Sequence, residues 1–102
     1  MRTEVVGRQI DITPSIREHA EQKAEKLLRF FDGVQQIEFT ITQQTSKGDE
    51  AFDVELVVAV TGHDDFVCHA KHADLYAAID GAVQKGSRSL AEHKDRVKQH
   101  KS

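Results

Sequence analysis

The feature that most constrains the fold of this 102-residue chain is a hydrophobic period that changes twice. From Ile16 to Phe31 the apolar residues Ile16, Ala20, Ala24, Leu27 and Phe31 recur three or four apart, which marks one face of a helix. The period then drops to two. Ile37, Phe39 and Ile41 share one face of a strand, and Phe52, Val54, Leu56, Val58 and Val60 form the longest alternating run. Phe66, Cys68 and Ala70 repeat the pattern more briefly. After Asp74 the helical period returns with Leu75, Ile79, Val83, Leu90 and Val97. Strands that are apolar on one face only must be covered on that face, and the two amphipathic helices are the available cover.

Local signals set the boundaries. Residues 3 to 6 are a short strand candidate, with Gly7 expected to end it. Thr13 can cap a helix whose first position is Pro14, where the missing N–H costs nothing, and Asp32-Gly33 supplies the stop. A strand is expected over Val34 to Gln43, a polar turn over Gln44 to Glu50, a second turn over Thr61 to Asp65, and a last strand over Phe66 to Lys71. Asp74 stands at the N-cap of a helix running to about His100. The spacings between the last three strands suit antiparallel hairpins, and the first strand-helix-strand unit suits a crossover. The expected fold is therefore a two-layer α/β (α+β) sandwich of order β-α-β-β-β-α. Its four-stranded mixed sheet carries both helices on one face, in one domain over residues 1–102 whose last few residues fray.

With 38% hydrophobic and 30% charged residues, the composition is that of a soluble globular protein. No apolar run approaches the ~20 residues of a membrane span. The opening MRTEVVGRQI has no apolar signal-peptide core, so a cytoplasmic protein without membrane association is expected. One cysteine, Cys68, excludes an internal disulfide framework.

Six histidines raise the question of a metal or a catalytic base. His63, Asp64, Asp65, His69 and His72 are the densest cluster, but on a strand His69 points away from Cys68, and neither zinc-finger spacings nor HExxH occur. Cys68 alternates with Phe66 and Ala70 and reads as a small buried hydrophobe. No nucleophile elbow, phosphate loop or dinucleotide fingerprint appears, and Asp53 and Glu55 lie on the wet face of the sheet. Neither catalysis nor a cofactor or resident metal is expected; exposed His63, His69 and His72 suit adventitious metal binding.

Charge is distributed unevenly. The chain totals -3, yet residues 83 to 102 hold six Lys/Arg against two acids, while residues 32 to 82 hold two bases and ten acids. A net acidic protein can still present a positive face, because surface fields follow where charges lie. On the first helix Lys23, Lys26 and Phe30 flank the apolar stripe; on the second, Lys85, Arg88 and Arg96 take one flank and Lys94 and Lys98 the other. If the helices lie side by side, a basic band crosses both and suits phosphate contacts that position without reading bases. Three strands between the helices argue against a helix-turn-helix. An aromatic platform for single strands has only Phe30 and Tyr76 to draw on. Gly86 falls in the apolar stripe of the second helix, where it implies either a close neighbour or a locally weak helix.

The run DLYAAIDGAVQK from Asp74 to Lys85, followed by Arg88, Leu90 and HKDRVKQH, resembles the C-terminal helix of the ribosome hibernation promoting factor family. That family is also called ribosome-associated inhibitor or ribosomal subunit interface protein. Val6-Gly7, Ile10 to Thr13, Ile16-Arg17-Glu18, Ala24, Lys26-Leu27 and Phe31-Asp32 extend the resemblance to the opening, so it covers essentially the whole chain. It implies a β-α-β-β-β-α domain on the small ribosomal subunit, near the decoding channel, with a positive helical surface facing 16S rRNA. It also implies that occupancy blocks messenger and tRNA binding and preserves idle ribosomes in stationary phase or stress. The chain ends soon after the basic helix, as in short promoting-type members. These act with a small ribosome modulation factor to pair 70S ribosomes into inactive 100S dimers. The family's basic positions correspond to Arg17, Lys23, Lys26, Lys85, Arg88, Lys94, Arg96 and Lys98. Asp80 matches too but is assigned no RNA contact. Two departures stand out: Gly86, where the family has a large apolar residue, and Glu92, which dilutes the basic band. The free protein is expected to be monomeric. The competing readings are a protein-interaction module using the acidic sheet face around Asp53 and Glu55, for example to modulate an alternative sigma factor, and a small metal enzyme using His63 to His72.

Overall fold

The computed structural model describes residues 2–46 and 48–99, except for the side chains of residues 46, 49 and 95–99. The expected contacts of Arg96 and Lys98, the place of Val97 in the stripe and the fraying of the last residues lie outside the described part. The elements are β1 (Arg2–Arg8), α1 (Pro14–Phe30), β2 (Val34–Ser46), β3 (Asp49–Val60), β4 (His63–His72) and α2 (Leu75–Gln99). The sheet order is β1-β2-β3-β4, with β1 parallel to β2 and the other two pairings antiparallel. This is the mixed sheet and the element order expected from the period changes.

The core lies between the sheet and the helices. Ile37, Phe39 and Ile41 of β2 and Val54, Leu56 and Val58 of β3 are fully buried, and Ala20, Ala24, Leu27, Ile79, Ala82 and Leu90 meet them from the helices. Each of the larger side chains contributes about 1.5–3 kcal/mol by leaving water. The opposite face of the sheet is mostly polar but not uniformly acidic, and it exposes Val6 and Val67 among the polar side chains. Asp53 pairs in register with Thr42 on one side and Lys71 on the other, and Glu55 lies opposite His69, whose Nε2 is 3.7 Å from it.

Three local expectations change. Gly7 does not end β1 but sits inside it, paired with Ile41. Just beyond, Gln9 takes φ 60 and turns the chain so that the Ile10 carbonyl and the Ile12 side chain lie over Gly7, where any Cβ would press into them. The polar turns also shrink. Ser46 still pairs with Asp49 and Val60 with His63, so each hairpin closes through two residues and Gln44, Glu50 and Asp65 lie in strands. Gly48 and Gly62, at φ 82 and 72, make such tight reversals possible. Polar side chains there conceal a backbone whose hydrogen bonds continue to the ends of the ladder.

Gly86 is a close approach. α2 remains helical through it, and a Cβ there would stand 2.9 Å from Cδ2 of the buried Leu56. The missing side chain lets α2 settle onto β3.

Candidate nucleic-acid interface

Both helices enter through caps that the sequence makes visible. The Thr13 hydroxyl accepts the Ile16 N–H at 3.2 Å, and an Asp74 carboxylate oxygen accepts the Tyr76 N–H at 2.9 Å. With their apolar stripes on the sheet, the flanks of α1 and α2 face each other across a groove of about 560 Å³. Leu27, Phe31 and Val83 form its apolar floor. Lys23 and Lys26 rise from α1, Arg88 from α2, and Gln84 and Ser87 add neutral polar groups. Lys26 and Arg88 form no ion pair with a carboxylate among the described residues.

One acid interrupts the groove. Asp80 lies 2.8 Å from His19 Nε2 and 3.8 Å from Lys23 Nζ, and the His19 ring meets Tyr76 edge-on at 4.9 Å. This bridge ties the two helices together at the end near the start of α2. Lys23 stays at this end, while Lys26 and Arg88 lie toward the other, where Phe30 stands 65% exposed.

Among the described residues, the predicted basic side chains divide between separate places. Lys23, Lys26 and Arg88 share the groove. Lys94 belongs to a second cavity at the groove's far end, of about 290 Å³, with Phe30, Asp32 and Gly33. Lys85 parts from Arg88: its Nζ donates to the His69 carbonyl at 2.6 Å, covering the edge strand β4. Arg17 is exposed but lies nine residues from Lys26, about half a turn away around α1, and lines no part of the groove.

The described histidines are dispersed among structural contacts. His63 stacks on Phe66 at 4.5 Å, with the His93 ring edge-on to both, and the His72 Nδ1 accepts the Asp74 N–H at 2.8 Å. Among the described residues no three His, Cys, Asp or Glu side chains are grouped to hold a metal. Cys68 is buried opposite Leu56, as its alternation with Phe66 and Ala70 implied.

The sequence profile of the family described as Sigma 54 modulation protein / S30EA ribosomal protein matches residues 3–98. The chain belongs to this family. Among its relatives, a ribosome hibernation promoting factor of Klebsiella oxytoca is 35% identical over 100 residues, covering 98% of this chain and all of that one. The Thermus thermophilus Protein Y N-terminal domain superposes with a TM-score of 0.75 at 28% identity, covering 88% of this chain and 94% of that one. A ribosomal subunit interface protein from Coxiella burnetii shares the fold with a TM-score of 0.77 at 24% identity, covering 93% and 99%. By sequence, the named relatives of this chain in the family are ribosome hibernation promoting factors.

In this hibernation-family member, two further residues line the groove outside the predicted basic set. Phe30 stands off the α1 stripe, four residues beyond Lys26, so it is an aromatic that the core does not need. Asp80 follows the buried Ile79 and is the acid that tempers the groove. Its acidic character was legible, but its pairing with His19, 61 positions away, was not.

Proposed function

We propose that this chain silences ribosomes by laying its two-helix face on the rRNA of the small subunit near the decoding channel, where it excludes messenger and tRNA. Its general role is the family's, ribosome hibernation. The finer reading is carried by one observation: Lys23, Lys26 and Arg88 converge from two helices on one groove of a chain whose net charge is -3. Convergent cations over an apolar floor suit a folded polyanion, because each phosphate contact releases counterions and the fixed helices set the register. Lys94, and Arg96 and Lys98 later in the sequence, extend the proposed contact beyond the groove; Arg17 and Lys85, which lie outside the groove, are proposed as separate contacts. The free protein acts as a cytoplasmic monomer, and with a small ribosome modulation factor it favours pairing of 70S ribosomes into 100S particles.

The sheet face offers a weaker surface for a basic protein partner, since Asp53 and Glu55 stand beside Lys71, His69 and Arg8. Sucrose-gradient profiles of stationary-phase cells with and without the protein test the proposal. Loss of the protein should reduce the 100S peak. An unchanged peak, with the protein absent from ribosomal fractions at low salt, would overturn it.

A further inference from the structure

Phe30 is the most exposed large apolar residue among the described ones, and it lines both cavities of the helical face. A single exposed apolar side chain is ordinary. This one is different in position: on one side of it lies the groove with Lys26 and Arg88, and on the other the end cavity with Lys94 at its rim. The floor of that cavity is apolar, built from Val34, Val60 and Leu90. Asp32 is the acid at its edge.

We infer that Phe30 is a stacking platform for one unpaired RNA base, received by the end cavity while Lys26, Arg88 and Lys94 hold the flanking phosphates. The charge pattern chooses the occupant. Cations on both sides of an aromatic ring match a strand that alternates a planar base with an anionic phosphate. The cavity lies near the lower end of the volumes that ligand sites span, about 300–1,000 Å³, which suits one base rather than a larger group. A free carboxylate edge at Asp32 can accept an N–H from the inserted base but cannot contact phosphate, so it favours the base side of the strand over the backbone side. The inference rests on the proposed RNA contact and adds that the RNA must be unpaired at this point.

The test uses the full chain and a short unstructured RNA carrying a fluorescent adenine analogue, alone or annealed to its complement, with 30S co-sedimentation measured in parallel. The wild type should prefer the single strand and quench the analogue. Phe30→Ala should weaken single-strand binding about five-fold or more, within the range for loss of one base–aromatic stack. Phe30→Tyr should keep it, Phe30→Leu should behave like Phe30→Ala, and none should change the salt slope, because the ring contacts no phosphate. Because Phe30 lies outside the core, all three variants should keep the wild-type circular dichroism. Equal affinity of the wild type and Phe30→Ala, or full binding by Phe30→Leu, would overturn the inference. So would a wild type that binds 30S subunits but not the single strand. Loss of 30S retention with strand binding intact would assign the cavity to a protein side chain and would equally overturn it. A wild type that binds neither RNA nor 30S subunits would instead refute the underlying functional reading.

Discussion

Replacing Gly86 by Ala sets two terms against each other. In an unconstrained helix Ala is worth about 1 kcal/mol over Gly. Here the new Cβ would lie 2.9 Å from Leu56 Cδ2, whereas carbon atoms pack comfortably at about 3.5–4.0 Å. Leu56 is fully buried, between Phe39 and Cys68 in the sheet register, so its side chain can yield only against the packed core. Overpacking of this kind costs about 1–3 kcal/mol. Gly86→Ala should therefore be neutral to destabilising by about 2 kcal/mol. Shortening the neighbour reverses the sign. In a Leu56→Val background the clashing atom is gone, and Gly86→Ala should stabilise by the helix-propensity gain of about 1 kcal/mol. Urea unfolding followed by far-UV circular dichroism gives all four corners of the double-mutant cycle, with a coupling energy of about 1–3 kcal/mol expected between the sites. If Gly86→Ala stabilises the wild-type background by the full helix term and adds independently to Leu56→Val, α2 is not seated on β3 by this contact.

Two further outcomes follow from the same geometry. Asp80→Asn should cost no more than about 1 kcal/mol of stability, since its partners are partly exposed, while raising 30S affinity a few-fold at low salt; reduced affinity in co-sedimentation would show instead that Asp80 orients Lys23 for binding. Gly7→Ala should destabilise by about 1–3 kcal/mol in urea unfolding, because its methyl group meets the Ile10 backbone rather than a side chain that can swing aside; a change below about 0.5 kcal/mol, the usual surface value, would refute that.

The parts of the fold legible in the sequence were those written in periodicity. Alternation at Phe52 to Val60 and the stripe from Ile16 to Leu27 mark the faces that became the core, because burial acts on every second or every third-to-fourth side chain. The ends of β2, β3 and β4 were less legible. Residues such as Gln44 and Asp65 look like turn formers, yet pairing is decided by the backbone ladder and by the two glycines that allow tight reversals. At the site, Lys23, Lys26 and Arg88 were recognisable as a flank, whereas the capture of Lys85 by the His69 carbonyl depends on a strand edge that no local pattern describes. Gly86 was ambiguous for a related reason: the Leu56 side chain it accommodates lies 30 positions earlier in the chain.

The most direct measurement is the salt dependence of 30S co-sedimentation for the wild type and for a variant carrying Lys23→Glu, Lys26→Glu and Arg88→Glu. All three side chains lie outside the core, so circular dichroism and unfolding should stay close to wild type. The wild type should bind at low salt with an affinity that falls steeply as salt rises, and the reversed groove should bind far more weakly, with the logarithmic salt slope reduced by about 3, one for each phosphate contact. Undiminished binding by the folded variant, or a wild-type affinity indifferent to salt, would contradict the assignment of this groove to ribosomal RNA.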